Sequence, residues 1–232
     1  MTQTKPVAVV VGAGPGNGTA LSKRFAHAGY AVAALSRQQS TLAALERHVP
    51  GVRGYVCDVA DPDSVAQSFG RIRSEMGPVD TLLFNAGSGV FKDFDDTSVE
   101  DFESSWRVNA YGAFLCAKQV VPQMREAGSG NIVFIGATAS RRGGSKTSAF
   151  ASAKAAQRSL AESLARSFWP KGIHVALIVV DGKIAVQGRA DQGALSELID
   201  PAAIAETAFQ LCRQDKSAWS FEVEARPFVE RW

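Results

Sequence analysis

The sequence has little that would staple, clamp or anchor it. Its three cysteines, Cys57, Cys116 and Cys212, are scattered without any CxxC spacing, which argues against a disulfide framework and against a metal site. Of the three histidines, His27 and His48 fall on outer helices and His174 in a strand, where a structural role is expected. The net charge is only +2, and basic pairs such as Arg141-Arg142 are too short to make a patch. Neither nucleic acid nor a membrane surface is called for as a partner. No apolar run approaches membrane-spanning length, and the opening MTQTKPVAVVVGAG lacks the basic start and long apolar core of a secretory leader. A cytoplasmic location is the expectation. Linkers, repeats and low-complexity stretches are missing as well, so residues 1–232 read as one domain, with 46% hydrophobic residues to fill a full core.

What is present is organised around Val7–Ala20, VAVVVGAGPGNGTA. An apolar run of strand length meets Gly12, Gly14, Gly16 and Gly18, and an amphipathic segment follows. Glycine suits a tight turn and lets a dinucleotide pyrophosphate touch backbone where no Cβ intervenes. The free N–H groups and dipole of the next helix favour an anion there. The pattern is Gly12-x3-Gly16-x-Gly18 rather than GxGxxG, whose third glycine would fall on Asn17.

Strand and helix signals then alternate. The first helix spans about Gly18–Ala28, followed by a strand at Tyr30–Leu35, a helix at Gln38–His48 and a strand at Val52–Val56. Asp61 and Pro62 read as N-cap and first residue of a helix carrying Val65, Phe69, Ile72 and Met76, which stops at Gly77-Pro78. Val79–Phe84 is the fourth strand. Val99–Ala127 reads as one or two helices with Pro122 near the end, Asn131–Ile135 as a strand, and Ser148–Lys171 as a long helix. Ile173–Val180, Pro201–Arg213 and Trp219–Val223 complete the chain as strand, helix and strand. Strands apolar nearly throughout, alternating with helices, predict an α/β doubly wound parallel sheet with helices on both faces and ligands beyond the carboxyl ends of the strands.

That geometry assigns the strand ends. Arg37 follows the second strand, beside Ser36, where an NAD-type site carries an acidic residue for the ribose hydroxyls. A guanidinium there holds a 2′-phosphate that a carboxylate would repel, so NADP(H) is preferred over NAD(H). Asp58 ends the third strand, where it either accepts from the adenine amino group or serves the turn. Asn85-Ala86-Gly87 supplies small residues where backbone passes close to a ribose.

The glycine spacing, Asp58-Val59, Asn85-Ala86-Gly87, Asn109 and Lys154 in Phe150-Ala-Ser-Ala-Lys154 together resemble the short-chain dehydrogenase/reductase family across essentially the whole chain. The resemblance implies a single Rossmann domain with a seven-stranded parallel sheet and hydride transfer between NAD(P) and a carbonyl or alcohol. It also implies a homodimer or homotetramer packed through the long helices after the fourth and fifth strands. Gly182 and Ile184 match the family's segment beside the nicotinamide, where Asp181-Gly182 stands for the usual Pro-Gly.

The family's chemistry uses four side chains. Lys154 matches the lysine that holds the nicotinamide ribose, and Asn109 the asparagine that holds a proton-relay water. The tyrosine position is Phe150 and the serine position is Ala137. Hydride delivery to a carbonyl builds negative charge on oxygen that must be protonated as it forms, and phenylalanine has no proton to give. Thr138 is the nearest substitute for the serine, although a one-residue offset points a strand side chain to the other face. Tyr111 is expected in a helix interface, and Lys183 near the substrate pocket. The walls of that pocket are expected from Ser88–Ser98 and Ala185–Glu197, with Phe91, Phe94, Ile184 and Leu195 making them partly apolar. The tail Trp219–Phe228 is expected against a neighbouring subunit.

Three functions stay open at this point. The first is an NADP(H)-dependent oxidoreductase on a small carbonyl, alcohol or activated double bond. The others are a catalytically weak nucleotide-binding sensor or assembly protein, and a non-redox lyase or isomerase on the same fold.

Overall fold

The computed structural model describes residues 5–186 and 197–229. Strand β1 (Val7–Val11) enters α1 (Asn17–His27) through the glycine turn, and β2 (Ala31–Ser36), α2 (Gln39–His48), β3 (Val52–Val56), α3 (Pro62–Met76) and β4 (Val79–Phe84) follow. Next come α4 (Val99–Trp106), a π-helical turn (Arg107–Tyr111), α5 (Gly112–Ala127), β5 (Gly130–Ala137) and α6 (Ser148–Phe168). The remainder is β6 (Ile173–Val180), the short pair β7 (Lys183–Ile184) and β8 (Leu198–Ile199), α7 (Pro201–Cys212) and β9 (Glu222–Ala225).

Seven strands form one parallel sheet in the order β3-β2-β1-β4-β5-β6-β9. The apolar runs are explained by burial on both faces: every residue of β1 and of β6 is buried. One face packs Val65, Phe69 and Ile72 of α3, Cys116 and Val120 of α5 and Ala161 of α6. The other packs Leu21 and Phe25 of α1, Leu42 of α2 and Ile204 and Phe209 of α7. The chain winds outward one way from β1 to β3 and the other way from β4 to β9. The crevice between the carboxyl ends of β1 and β4 is therefore the switch point where such sheets bind ligands.

The local signals for α3 act as read: Asp61 accepts from Asp63 N at 3.0 Å, and Pro62 is the first helical residue. Ser98 and Asp101 form a reciprocal capping box that starts α4. The stretch Val99–Ala127 is two helices joined through the π turn without a break, and Pro122 lies inside α5.

Beyond one-residue differences at α1, β2, α2 and α7, β5 runs two residues past the expected Ile135, to Ala137, and two boundaries differ by three residues. The helix expected to reach Lys171 ends at Phe168, and Trp169–Lys171 tightens into a 3₁₀ turn around Pro170, which has no N–H to continue the ladder. The last strand runs Glu222–Ala225 rather than Trp219–Val223. The Trp219 indole donates to Gln214 O at 3.2 Å and stacks on His174 at 4.7 Å, while Ser220 N donates to the Gln214 side chain. The aromatic stretch is thus a turn, and the ladder to β6 begins only at Glu222.

The tail folds on its own sheet. Glu222 is paired with Arg141 at 2.7 Å and Arg158 at 2.6 Å, and Arg226 with Asp181 at 2.8 Å, leaving Phe228 89% exposed.

Candidate active site

The glycine turn is built so tightly that side chains are excluded. Gly12 has φ +84°, and a Cβ on it would lie 2.6 Å from Ala86 Cα. A Cβ on Gly18 would lie 2.7 Å from Ala13 Cα and closer still to Gly12 O. Gly14, in contrast, opens to space, with no atom within 4 Å of its Cβ position. Gly16 caps α1 without any side-chain hydrogen bond, and the first turn has no acidic residue. Gly14 N, Thr19 N and Ala20 N donate to Gly12 O, Gly14 O and Gly16 O, which leaves the N–H groups of Gly16, Asn17 and Gly18 for an anion, as a pyrophosphate cradle requires. Asn85 Nδ2 donates to Gly12 O at 2.8 Å, fixing the turn to the end of β4.

Beside the turn, a cavity of about 170 Å³ is lined by Gly12, Ser36, Arg37, Asp58, Val59, Asn85, Ala86 and Gly87, among others. The predicted nucleotide residues at the ends of the second, third and fourth strands are therefore brought together, while Lys154, Gly182 and Ile184 lie outside this cavity. Arg37 is exposed at this cavity. Ser36 Oγ accepts from Gln38 N at 3.2 Å. Asp58 takes the turn role: its carboxylate accepts from Ala60 N at 3.0 Å, and its own N–H donates to Ser64 Oγ.

The buried cation of the site is Lys154, 5% exposed. Its ammonium donates to Ile135 O at 3.0 Å and to Gln157 Oε1 at 3.1 Å. Gln157 Nε2 in turn donates to the backbone carbonyl of Asn109 at 3.0 Å, inside the π turn. The Asn109 side-chain NH₂ donates to Ser105 O at 2.9 Å and Ser88 O at 3.0 Å, while its Oδ1 is buried without a partner. From a Cβ built on Gly87, Asn109 Oδ1 is 3.4 Å away and Lys154 Nζ 3.8 Å. Lysine and asparagine thus converge on the end of β4. A buried acceptor without a partner costs free energy unless something fills it, so the pair fits a ligand bearing hydroxyl groups. With the cradle and the cavity, the residues present fit a dinucleotide.

Burial without a carboxylate lowers the Lys154 ammonium to about 8 from its ordinary 10.5. The folded chain holds this proton less tightly than the unfolded chain, so folding stability rises with pH across that window. Relative to Lys154→Met, wild type is expected to gain about 3 kcal/mol between pH 8 and pH 10.5. Denaturant unfolding of both proteins over this range checks it, and the difference is independent of any constant packing offset.

At the two departures from the family pattern, the structure brings carbon. The half-buried Phe150 ring is 5.2 Å from the Phe91 ring, and the Lys154 ammonium lies 6.0 Å from its centroid. Ala137 ends β5 in extended conformation. Thr138 is turned to the end of β6: its hydroxyl donates to the Asp181 carboxylate, with Val180 O 3.4 Å away, so its proton is already engaged. Of the expected pocket walls, Phe91 covers Phe150, whereas Phe94 is 77% exposed. Ile184 and Val186 lie across the glycine turn, 3.5 and 3.7 Å from the Cβ position of Gly16. Lys183 is exposed, and Leu195 with most of the Ala185–Glu197 segment lies outside the described residues. Gly182 has φ +151°, and Pro227 crowds its Cβ position at 2.9 Å.

The histidines take structural places: His174 is buried between Leu211 O and Ser220 O, and His27 and His48 are exposed on their helices. Tyr111, expected in a helix interface, instead stacks on Trp106 of its own helical stretch at 5.7 Å. Sequence reasoning missed Gln157 and Ser140, whose buried hydroxyl has no partner. The signal for Gln157 was its place three residues after Lys154 on a face otherwise made of Ala149, Ala151, Ala153, Ala161 and Ala165. A glutamine among buried alanines needs a polar reason.

A doubly wound parallel sheet with a glycine cradle at its switch point and a buried lysine beyond it defines a nucleotide-binding protein of the Rossmann class. The model of the short chain dehydrogenase family matches residues 6–191. A short-chain dehydrogenase/reductase of Armillaria gallica is 37% identical over 179 residues, 73% of this chain and 67% of the relative. Among solved structures, a short-chain dehydrogenase from Rhodopseudomonas palustris superposes with TM-score 0.84 at 34% identity, over 97% of this chain and 100% of the other. A metagenomic short-chain oxidoreductase in complex with NADP superposes with TM-score 0.84 at 25% identity, over 97% and 98%. The chain belongs to the short-chain dehydrogenase/reductase family.

Proposed function

We propose that this chain is an NADP(H)-dependent oxidoreductase acting on a small carbonyl or alcohol, or on an activated double bond, with its proton supplied by water or by a side chain other than that at position 150. The observation that carries the reading is the convergence of Lys154 Nζ and Asn109 Oδ1 on Gly87, at the end of the strand that borders the glycine cradle. A bound nicotinamide supplies the hydride. The chain's own residues divide the remaining work. Gly12–Gly18 and the N-terminus of α1 receive the pyrophosphate. Lys154, with Asn109 beside it, holds the ribose nearest the reaction. Phe91 and Phe150 give the substrate an apolar wall that excludes water. Ile184, resting on the turn, closes the nicotinamide side.

Arg37 supports NADP(H) over NAD(H), since it lines the cavity and β2 ends in Ser36, with Arg37 next, rather than in an acidic residue. Titration with NADPH and, separately, NADH tests the assignment. NADPH is expected to bind well ahead of NADH. Arg37→Ala is expected to weaken NADPH by about 10- to 100-fold, the value of a charge-assisted hydrogen bond to phosphate, and to leave NADH unchanged. Equal weak binding of both overturns the nucleotide assignment.

The same reading includes a homodimer or homotetramer in a single-domain, cytoplasmic protein. Val99, Phe102, Trp106 and Phe114 are exposed along α4 and α5, and a second copy covering that face would bury them. Among the described residues no helix is long and apolar enough to cross a membrane.

A further inference from the structure

Lys154 has three N–H donors and no acidic partner, and burial alone accounts for the lowering of its pKa. Two donors are spent on neutral oxygens, one from the backbone of β5 and one from Gln157, three residues along the same helix. The glutamine is 0% exposed and spends its other end on Asn109 O. A π turn widens the helix and leaves a carbonyl for a side chain to use. The single amide therefore ties α6 to the helix that carries Asn109. It also removes one rotational freedom from an ammonium that would otherwise swing on a four-carbon stem. The third N–H is left for the Gly87 cleft, where the unpartnered Asn109 Oδ1 waits. A donor and an acceptor side by side suit one hydroxyl, which accepts from the first and donates to the second.

We propose that Gln157 is a positioning residue for the dinucleotide: it holds the Lys154 ammonium so that its remaining N–H and Asn109 Oδ1 together receive a sugar hydroxyl on the nicotinamide half. The inference rests on the nucleotide reading above, and the test separates the two. NADPH carries the nicotinamide ribose, whereas adenosine 2′,5′-bisphosphate carries only the adenosine half. Dissociation constants for both ligands are measured by calorimetry on wild type, Gln157→Met and Gln157→Glu.

Methionine keeps the volume and loses both hydrogen bonds, while glutamate keeps an acceptor for Lys154. Gln157→Met is expected to weaken NADPH by about 10- to 100-fold and to leave the bisphosphate within about twofold of wild type. Gln157→Glu is expected to stay within about threefold for both ligands, a rescue that depends on the lysine contact alone.

Three results overturn the proposal: Gln157→Met binding NADPH like wild type, an equal loss for both ligands in that variant, or a loss in Gln157→Glu as large as in Gln157→Met. The equal loss would mean a structural role only. Should Gln157→Met fail to fold, Gln157→Glu and wild type still decide, since a glutamate variant that folds and loses NADPH selectively contradicts the lysine contact. If wild type binds neither ligand, the nucleotide reading itself fails and this inference with it.

Discussion

Phe150→Tyr combined with Ala137→Ser is expected to raise NADPH-dependent reduction of small ketones and aldehydes by about 10²- to 10⁴-fold, the usual contribution of general acid–base catalysis. Phenylalanine and tyrosine share a shape, and the position is only half-buried, so the added hydroxyl meets no closed core. The Lys154 ammonium is already 6.0 Å from the ring centroid, and a nearby cation lowers a phenol from its ordinary pKa of about 10. Serine at the extended end of β5 would add a second donor to the developing oxyanion. Both changes are needed, because a proton donor without an orienting hydroxyl leaves the substrate oxygen free to drift. Consumption of NADPH over a panel of aliphatic and aromatic carbonyls is the measurement. A gain over a silent parent would assign the parent a chemistry other than carbonyl reduction. An active parent that gains less than about threefold would mean that another acid already serves.

Gly18→Ala should abolish nucleotide binding, with affinity for NADPH falling by more than about 100-fold and stability by about 3 kcal/mol or more. The new methyl would meet only backbone: Gly12 O, Ala13 Cα at 2.7 Å and the Ala13 carbonyl carbon at 2.9 Å. No rotamer change relieves a clash between main-chain atoms, so α1 must move away from β1. That shift opens the cradle and loosens the packing of Leu21 and Phe25, both fully buried. Gly14→Ala is the matched control for stability, since its Cβ position has no protein atom within 4 Å. Thermal unfolding of both variants checks the contrast in stability, and NADPH titration of Gly18→Ala checks the loss of binding. Similar losses in both would refute the tight-turn account.

How much was legible varies with the physics of each element. β3, β4 and β6 match their predicted limits: β6 is a mostly apolar run between Gly172 and Asp181, and β3 and β4 start directly after Gly51 and Pro78. Asp61 and Pro62 declare α3 for the same local reason. β9 was misplaced because Trp219 and Phe221 have strand composition but spend their rings elsewhere, on His174 and on the core. The π turn at Arg107–Tyr111 has no compositional mark, since a bond to the fifth residue back asks nothing special of side chains. In the site, Lys154 and Asn109 were found through the order of motifs. Their meeting at Gly87 depends on two helices crossing, which no local pattern encodes. Phe91 was placed in a wall by its loop, but its seat on Phe150 depends on Gly89, whose Cβ position lies 2.6 Å from the Phe91 ring.

The outermost strand has a bearing on solubility. β6 is seven apolar residues and His174, without charge or proline, and only Leu177–Val180 are paired on its far side. Bare, that edge would offer unpaired N–H and C=O groups along an apolar strand, the template on which foreign chains add. β9 occupies it and presents Glu222 and Glu224 instead, pinned by Arg141, with Arg158 and Arg226 holding one each. A proteolytic nick between Trp219 and Ala225 would therefore do more than loosen the tail. It would uncover an adhesive edge, and the nicked protein would be lost to aggregation before it lost its fold.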